Sequence, residues 1–314
     1  MGAAPQPSTG CGVRLGVTAL TNERRAYVMA AVAVLMWSTA ATAFKLTLAE
    51  LPIATLVLIA TLSSALVLTL AVSLAGDLAH LIPTLRRHWR GTLIRGALNP
   101  AIYYPMVLGA YARLPAQIAQ PINYTWAIVL TILAAIVLRQ RITRHDYGAA
   151  AVCYLGVLVI ATQGSLNDAA FADAAGFGLA LASTVIWAVY WLLDMCDTRS
   201  PTVGMCLNFW VALPPLTLWC ALVPGAFVLT PAGVAGAVYI GLFEMGLAFL
   251  AWSTALRLAP NSSLVANLIF LSPFVSLQLI ALILEESIHV TTWAGLGLII
   301  AGLLWQQWHK QTVV

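Results

Sequence analysis

Charge is scarce in this sequence. Only 8% of the 314 residues are Asp, Glu, Lys or Arg while 61% are hydrophobic, against about 25% charged in an ordinary soluble domain. A soluble globular fold is thereby excluded, and the chain reads as an integral membrane protein. Lysine is nearly absent: Lys45 and Lys310 are the two present, and neither stands in a GxxxxGK[ST] loop, which leaves no ATP motor within the chain. No ATPase subunit is evident as a partner either. All five histidines, His80, His88, His145, His289 and His309, fall in loops or at segment ends, so no apolar segment carries a His-based catalytic pair or zinc cluster. The five cysteines, Cys11, Cys153, Cys196, Cys206 and Cys220, have neither disulfide-framework nor metal-ligand spacing. No cofactor is implied, and a membrane enzyme would need some other base.

What is abundant is apolar runs of about 20 residues, the length that crosses a bilayer as a helix. Ten can be drawn: Tyr27–Phe44, Ile53–Ala75, Thr92–Ala112, Gln117–Leu138, Tyr147–Gln163, Ala175–Leu193, Val203–Val223, Ala232–Leu256, Ser262–Leu284 and Thr292–Trp308. None alternates in polarity as a transmembrane barrel strand would. The expected fold is therefore an all-α polytopic membrane protein of ten transmembrane helices. The connections are too short for an extramembrane domain. Residues 1–25 mix Pro, Gly, Ser and Thr without period and read as a flexible tail.

With the N-terminus inside, the inner segments collect Arg14, Arg24, Arg25, Arg86, Arg87, Arg90, Arg95, Arg139, Arg141, Arg144, Arg199, Arg257 and Lys310, and the outer ones keep Lys45 and Arg113. This asymmetry follows the positive-inside rule and predicts cytoplasmic termini. The +4 formal charge is thus accounted for by the lipid bilayer, with no nucleic acid partner required.

The chain also repeats. GALNPAIYYPMVLGAYARLPA from Gly96 sets above GLFEMGLAFLAWSTALRLAPN from Gly241, with the glycines aligned and Pro115 meeting Pro260. Asn123 falls beside Asn267, Leu138 and Ile142 match Leu284 and Ile288, Gly148 and Gly156 answer Gly295 and Gly302, and LMWSTA around Trp37 matches VIWAVY around Trp187. The unit is five helices, residues 26–164 and 175–309. An odd number inverts the second copy in the membrane, an architecture of alternating-access transporters with substrate between the halves.

The order of MWSTAATAFKL, LRQRITRHDYGAAAVCYLGVLVI and LEESIHVTTWAGLGLIIAGLLW resembles the drug/metabolite transporter superfamily, specifically its EamA-type exporters. NYTWAIVLTIL, IWAVYW and LAFLAWSTAL look most like the aromatic amino acid exporter branch. A departure is that the family often ends its fourth and ninth helices with a Gly-Glu pair. Glu286 fits the second copy, but the first reads Arg139-Gln140. The resemblance implies a secondary exporter of the plasma (inner) membrane with a central cavity lined by both halves, a small metabolite as substrate, and no enzymatic activity.

Candidate residues follow from polarity out of place. Glu244 lies mid-run, and intramembrane acids default to functional candidates. Its helical neighbours Ala237, Gly241, Ala248, Ala251 and Ala255 permit close packing or leave space for a ligand. The repeat sets Asn99 opposite it. One reading puts Glu244 and Asn99 on the substrate path, pairing with an amine or exchanging a proton; the other makes Glu244 a protonated acid bonded across a helix interface. In QIAQPINYTW, Asn123 and Trp126 share a face and Asn123 is a polar interior candidate, with Asn267 as its repeat partner, while Gln117 and Gln120 read as outer-interface residues. Tyr103, Trp187, Tyr190 and Trp252, with Trp37 as the repeat partner of Trp187, are candidates for an apolar sleeve around a ring or aliphatic side chain. Helix packing and the interfacial belt are their alternative explanation. The cargo classes left open are amino acids, aromatic or large apolar ones first, then nucleosides, sugars and drugs; a membrane enzyme or scaffold subunit is the remaining alternative.

Overall fold

A computed structural model describes residues 11–137, 144–162, 173–259 and 267–312. The described residues are helical, with no strand among them. Six helices are long and apolar enough to cross a membrane: Asn22–Leu48, Ile53–Leu74, Ala116–Val137, Ala174–Met195, Pro201–Leu222 and Pro231–Leu258. Leu268–Ile283 and Val290–Trp305 are shorter apolar helices. The expected run Thr92–Ala112 is divided between elements, and Tyr147–Gln163 lies in the helix Arg144–Thr162 with Gln163 outside the described residues.

The elements in chain order are α1 (Cys11–Ser38), α2 (Ala40–Leu48), α3 (Ile53–Leu74), α4 (Leu81–Gly96), α5 (Tyr103–Arg113), α6 (Ala116–Tyr124), α7 (Trp126–Val137), α8 (Arg144–Thr162), α9 (Ala174–Met195), α10 (Pro201–Leu222), α11 (Pro231–Tyr239), α12 (Ala248–Leu258), α13 (Ser272–Ile283) and α14 (Val290–Thr312). α1 starts at Cys11, so helix extends into the stretch read from sequence as a loose tail. Its sequence from Cys11 to Ser38 holds no proline to stop it.

Two π-helical segments interrupt the bundle, Ala97–Ile102 before α5 and Ile240–Leu247 before α12. In the first, Pro100 withholds a backbone N–H from the ladder, and Asn99 takes non-helical torsions, φ −135° and ψ 112°. In the second, Gly241 and Gly246 let the backbone approach α3: a methyl at Gly241 would strike the Ala60 carbonyl. Such segments loosen the helix locally and often stand at functional sites. With Gly96 set on Gly241, the two fall at matching points of the sequence repeat.

Packing joins early helices to late ones. α1 lies on α12 through an alanine seam in which Ala26, Ala30 and Ala33 meet Ala255 and Trp252. α3 packs on α10 and on Ile240–Leu247, and α5 and α7 pack on α9. α8 and α14 touch backbone to backbone: an added Cβ on Gly156 would meet the Gly295 carbonyl at 2.5 Å and the reverse substitution would meet that of Gly156 at 2.5 Å. Small residues are what allow such approach where lipid supplies no hydrophobic drive.

The outward face is itself apolar. Leu62, Leu66, Leu70 and Leu74 form an exposed ladder along α3 while Val57, Ala60, Ser64, Leu68 and Val72 of the same helix are buried. Four-residue spacing puts the ladder on one face, and a continuous apolar exterior of this kind suits hydrocarbon rather than water. Three helical hydroxyls bond back one turn, Ser63 to Ile59, Thr69 to Ala65 and Thr131 to Ala127, so these three add no unpaired donor to the membrane region.

Candidate functional site

Glu244 sits in the π segment Ile240–Leu247, buried to 9% residual exposure. Its carboxylate accepts the Tyr104 hydroxyl of α5, 3.0 Å from Oε1 and 2.9 Å from Oε2. Its backbone carbonyl accepts the Trp37 indole N–H at 3.3 Å. No basic side chain pairs with it among the described residues.

Aromatic rings surround this acid in a connected series. Trp37 meets Phe249 edge-on at 5.2 Å and Trp252 at 5.5 Å between centroids. Phe249 also meets Trp187 at 5.9 Å. Trp187 stacks on Tyr103 at 4.3 Å and on Tyr190 at 5.5 Å, and Tyr103 meets Tyr104 at 5.0 Å. The two tryptophans paired by the sequence repeat therefore flank one ring, Phe249. Rings with faces and edges alternating favour another ring or a cation between them.

The amides lie at the margin. The Tyr103 hydroxyl donates to Asn123 Oδ1 at 3.2 Å, and Asn123 Nδ2 donates to the Ser183 hydroxyl at 3.0 Å. Trp126 reaches the cluster through Trp191, stacked at 6.1 Å, and Trp191 in turn meets Trp187 at 6.0 Å. Asn99 is fully buried beside the Tyr190 hydroxyl, yet neither its oxygen nor its nitrogen closes a hydrogen bond of standard geometry. An unpaired buried amide is costly, about 1–3 kcal/mol per group, and is open to a ligand. Of the residues expected from sequence, Glu244, Trp37, Trp252, Trp187, Tyr190, Tyr103, Asn123, Trp126 and Asn99 belong to this one neighbourhood. Asn267 opens the 3-10 turn Asn267–Leu271, and its side chain lies outside the described residues.

Sequence reasoning missed Tyr104 as the partner of Glu244, and Phe249 as the central ring. The register of the repeat carries both: with Gly96 on Gly241, Tyr104 falls on Phe249. Other readings are corrected. Glu286, noted from sequence as the family's helix-ending acid, accepts the backbone N–H groups of Ala116 and Gln117 at 3.1 and 3.3 Å, capping α6 from a distant loop. Gln117, read as an interface residue, is buried, donates to the Ser287 carbonyl at 3.0 Å, and accepts from His289 N at 3.1 Å and the Thr292 hydroxyl at 3.2 Å. Gln120 is likewise buried.

Arg199 was read as a topology charge. Its side chain is 1% exposed and binds Asp197 with Nη2 2.6 Å from Oδ2. It also donates to Thr92 at 2.8 Å and Asn208 at 3.1 Å, while Arg95 donates to the Leu193 carbonyl at 2.7 Å and stands 3.5 Å from Asp197. Burial pushes the Asp197 carboxyl up, but the bonds and charge of Arg199 outweigh it and hold it below the usual carboxylate range.

A bundle with an apolar exterior and a ring-lined polar centre has the form of a membrane carrier. The "EamA-like transporter family" matches residues 24–162 and again 174–306, and the chain belongs to this family: it is a multi-pass membrane transporter. Among its relatives, "Protein PecM" of Dickeya dadantii is 25% identical over 69% of this chain and 72% of its own length. The "Probable amino-acid metabolite efflux pump" of Salmonella typhimurium is 31% identical over 60% of this chain and 67% of its own. An "Uncharacterized transporter" of Archaeoglobus fulgidus is 26% identical over 66% and 74%. One solved structure, described only as the crystal structure of a protein, shares the fold with a TM-score of 0.62, at 20% identity over 92% of this chain and 98% of that one.

Proposed function

We propose that this protein exports small metabolites across the plasma (inner) membrane, and that its cargo is amino acids, aromatic or large apolar ones first. The observation that carries the reading is the Glu244 carboxylate, buried without a basic partner among the described residues and faced by Tyr104 inside a sleeve of Trp37, Tyr103, Trp187, Phe249 and Trp252. A charge kept unneutralised in a membrane interior is expensive and defaults to function. An ammonium group bound there supplies the missing counter-charge, while the rings accommodate an aromatic or branched side chain. Asn123 and the unpartnered amide of Asn99 are the groups able to take the cargo's carboxylate. The amino-acid assignment draws support from the 31% identical Salmonella relative, named for amino-acid metabolite efflux.

Movement is by alternating access between two inverted five-helix halves, 26–164 and 175–309, with ten membrane-spanning helices and both termini cytoplasmic. Support comes from the doubled family match, from the two π segments at equivalent positions, and from Glu244 of the second half meeting Tyr104 of the first. Transport is driven by solute gradients, and the protein works as a small-molecule carrier rather than an enzyme.

Counterflow into proteoliposomes tests this. Vesicles preloaded with phenylalanine accumulate labelled phenylalanine, tryptophan or leucine, and unlabelled aromatic amino acids compete. Absence of counterflow for every amino acid in intact vesicles rejects the cargo and moves the search to nucleosides, sugars and drugs.

A further inference from the structure

A cavity of about 520 Å³, apart from the Glu244 neighbourhood, is lined by residues of α2 and α11. Thr39, Thr42, Thr47 and Glu50 line one side, Gly236 and Tyr239 the other. Its volume falls within the roughly 300–1,000 Å³ range of small-molecule sites. At its inner end the Thr39 and Tyr239 hydroxyls bond at 2.8 Å, and the Tyr239 ring packs on Phe243 at 4.8 Å. Trp37, two residues before Thr39, is the residue bound to the Glu244 carbonyl.

The lining carries a readable chemistry. Glu50, exposed at the rim, is the charged residue of the lining and no basic residue belongs to it. One carboxylate oxygen of Glu50 takes the Thr230 hydroxyl at 2.7 Å, which leaves the other to a ligand. The nearest lysine in sequence, Lys45, is committed elsewhere: its ammonium donates to the Tyr111 and Leu114 carbonyls at 2.9 and 3.1 Å. Deeper in, the Thr47 hydroxyl is satisfied by the Ala43 carbonyl. The Thr42 hydroxyl, on a residue 4% exposed, has no partner. Between these two polar points the walls are apolar, with Leu46, Leu279 and Ile283. Six helical steps, about 9 Å at 1.5 Å per residue, separate Thr42 from Leu48 at the end of α2, and Glu50 lies two residues beyond in the turn.

We propose that this cavity is a second ligand site, separate from the Glu244 centre, that selects small organic cations: an ammonium group at Glu50, an apolar body along Leu46 and Leu279, and a far-end hydroxyl or other hydrogen-bonding group at Thr42. Anions of the same shape are rejected, because they meet an acid at the rim and no base. The site does not depend on which cargo the Glu244 centre carries.

The test is chemical protection, read without transport. Leu46→Cys and, separately, Leu279→Cys protein in vesicles is treated with a trimethylammonium-bearing or a sulfonate-bearing methanethiosulfonate, and modification at the introduced thiol is followed by site-resolved mass spectrometry. The cationic reagent is expected to react about tenfold faster, as a charged rim raises the local concentration of opposite charge. Glu50→Gln brings the two rates to near parity. Tyramine slows modification, 4-hydroxyphenylacetate does not, and Thr42→Val weakens the tyramine effect. Equal rates for both reagents, a bias that survives Glu50→Gln, or equal protection by the two ring compounds overturns the proposal. Two reporters on different helices guard against one variant misfolding, and protection that persists in Glu244→Gln separates this site from the transport centre.

Discussion

Two acids of this protein, the partly buried Asp197 and the buried Glu244, are treated in opposite ways. Asp197 is enclosed by cations: Arg199 binds both its carboxylate oxygens, at 2.6 and 2.8 Å to Oδ2 and 3.0 Å to Oδ1, and Arg95 lies 3.5 Å away. Thr92 accepts from Nη1 and Asn208 from Nη2 of the same guanidinium. Among the described residues Glu244 has a single side-chain partner, the neutral hydroxyl of Tyr104. The first arrangement is complete without a ligand and ties α4 to α10 and the loop before it. The second leaves an acid without a basic partner among the described residues at the centre of a ring-lined site, which is the arrangement a carrier needs if cargo is to supply a counter-charge and then leave.

Substitutions sharpen this contrast. The largest stability loss is expected from Arg199→Ala, which removes the buried guanidinium that joins Asp197, Thr92 and Asn208 and leaves Asp197 with Arg95 at 3.5 Å; breaking a buried pair costs about 3–5 kcal/mol, the partly buried Asp197 puts this one at the lower end, and thermal unfolding in detergent should register it. Tyr104→Phe removes the one hydroxyl facing Glu244 and should cost about 1–3 kcal/mol, the range for leaving a buried group unsatisfied, measured in the same assay. Glu244→Gln keeps an acceptor for Tyr104 and removes the charge, so its stability should stay within about 1 kcal/mol of the parent. A Glu244→Gln protein that unfolds as readily as Arg199→Ala would make Glu244 a structural acid like Asp197.

The smallest effect concerns pH. Asp197 has its folded pKa depressed, so the stability it contributes is fully present above the unfolded carboxyl value of about 3.9 and is lost as pH falls through the folded value below it. The melting difference between the parent and Asp197→Asn should therefore be flat from neutral pH down to about 5 and shrink only in stronger acid. A difference that already fades near neutral pH would show that Arg199 does not hold the carboxylate ionised.

Much of this was legible in the sequence, and unevenly so. Long apolar runs mark helices because a bilayer demands internally satisfied backbone, and Glu244 stood out because acids are rare in such runs. The doubled Trp37 and Trp187 pointed to one place, and both meet Phe249. What failed was pairing at a distance. Arg199 looks like any positive-inside residue until Thr92, more than a hundred positions earlier, is brought against it. Glu286 looks like a loop acid until the start of α6 arrives beneath it. Tyr104 was visible as an aromatic but not as a hydrogen-bond donor, since adjacent helix positions point about 100° apart and nothing local says which of Tyr103 and Tyr104 faces the second half.

Counterflow of labelled phenylalanine in proteoliposomes, run side by side for the parent and Glu244→Gln at equal amounts of folded protein, tests the role of the central acid most directly. Loss of the charge should lower the rate by about a hundredfold, in line with the 2–5 kcal/mol that removing one partner of a desolvated charge pair costs, while the melting temperature holds. Counterflow at the parental rate in Glu244→Gln would contradict the assignment and leave the buried acid a packing element of the bundle.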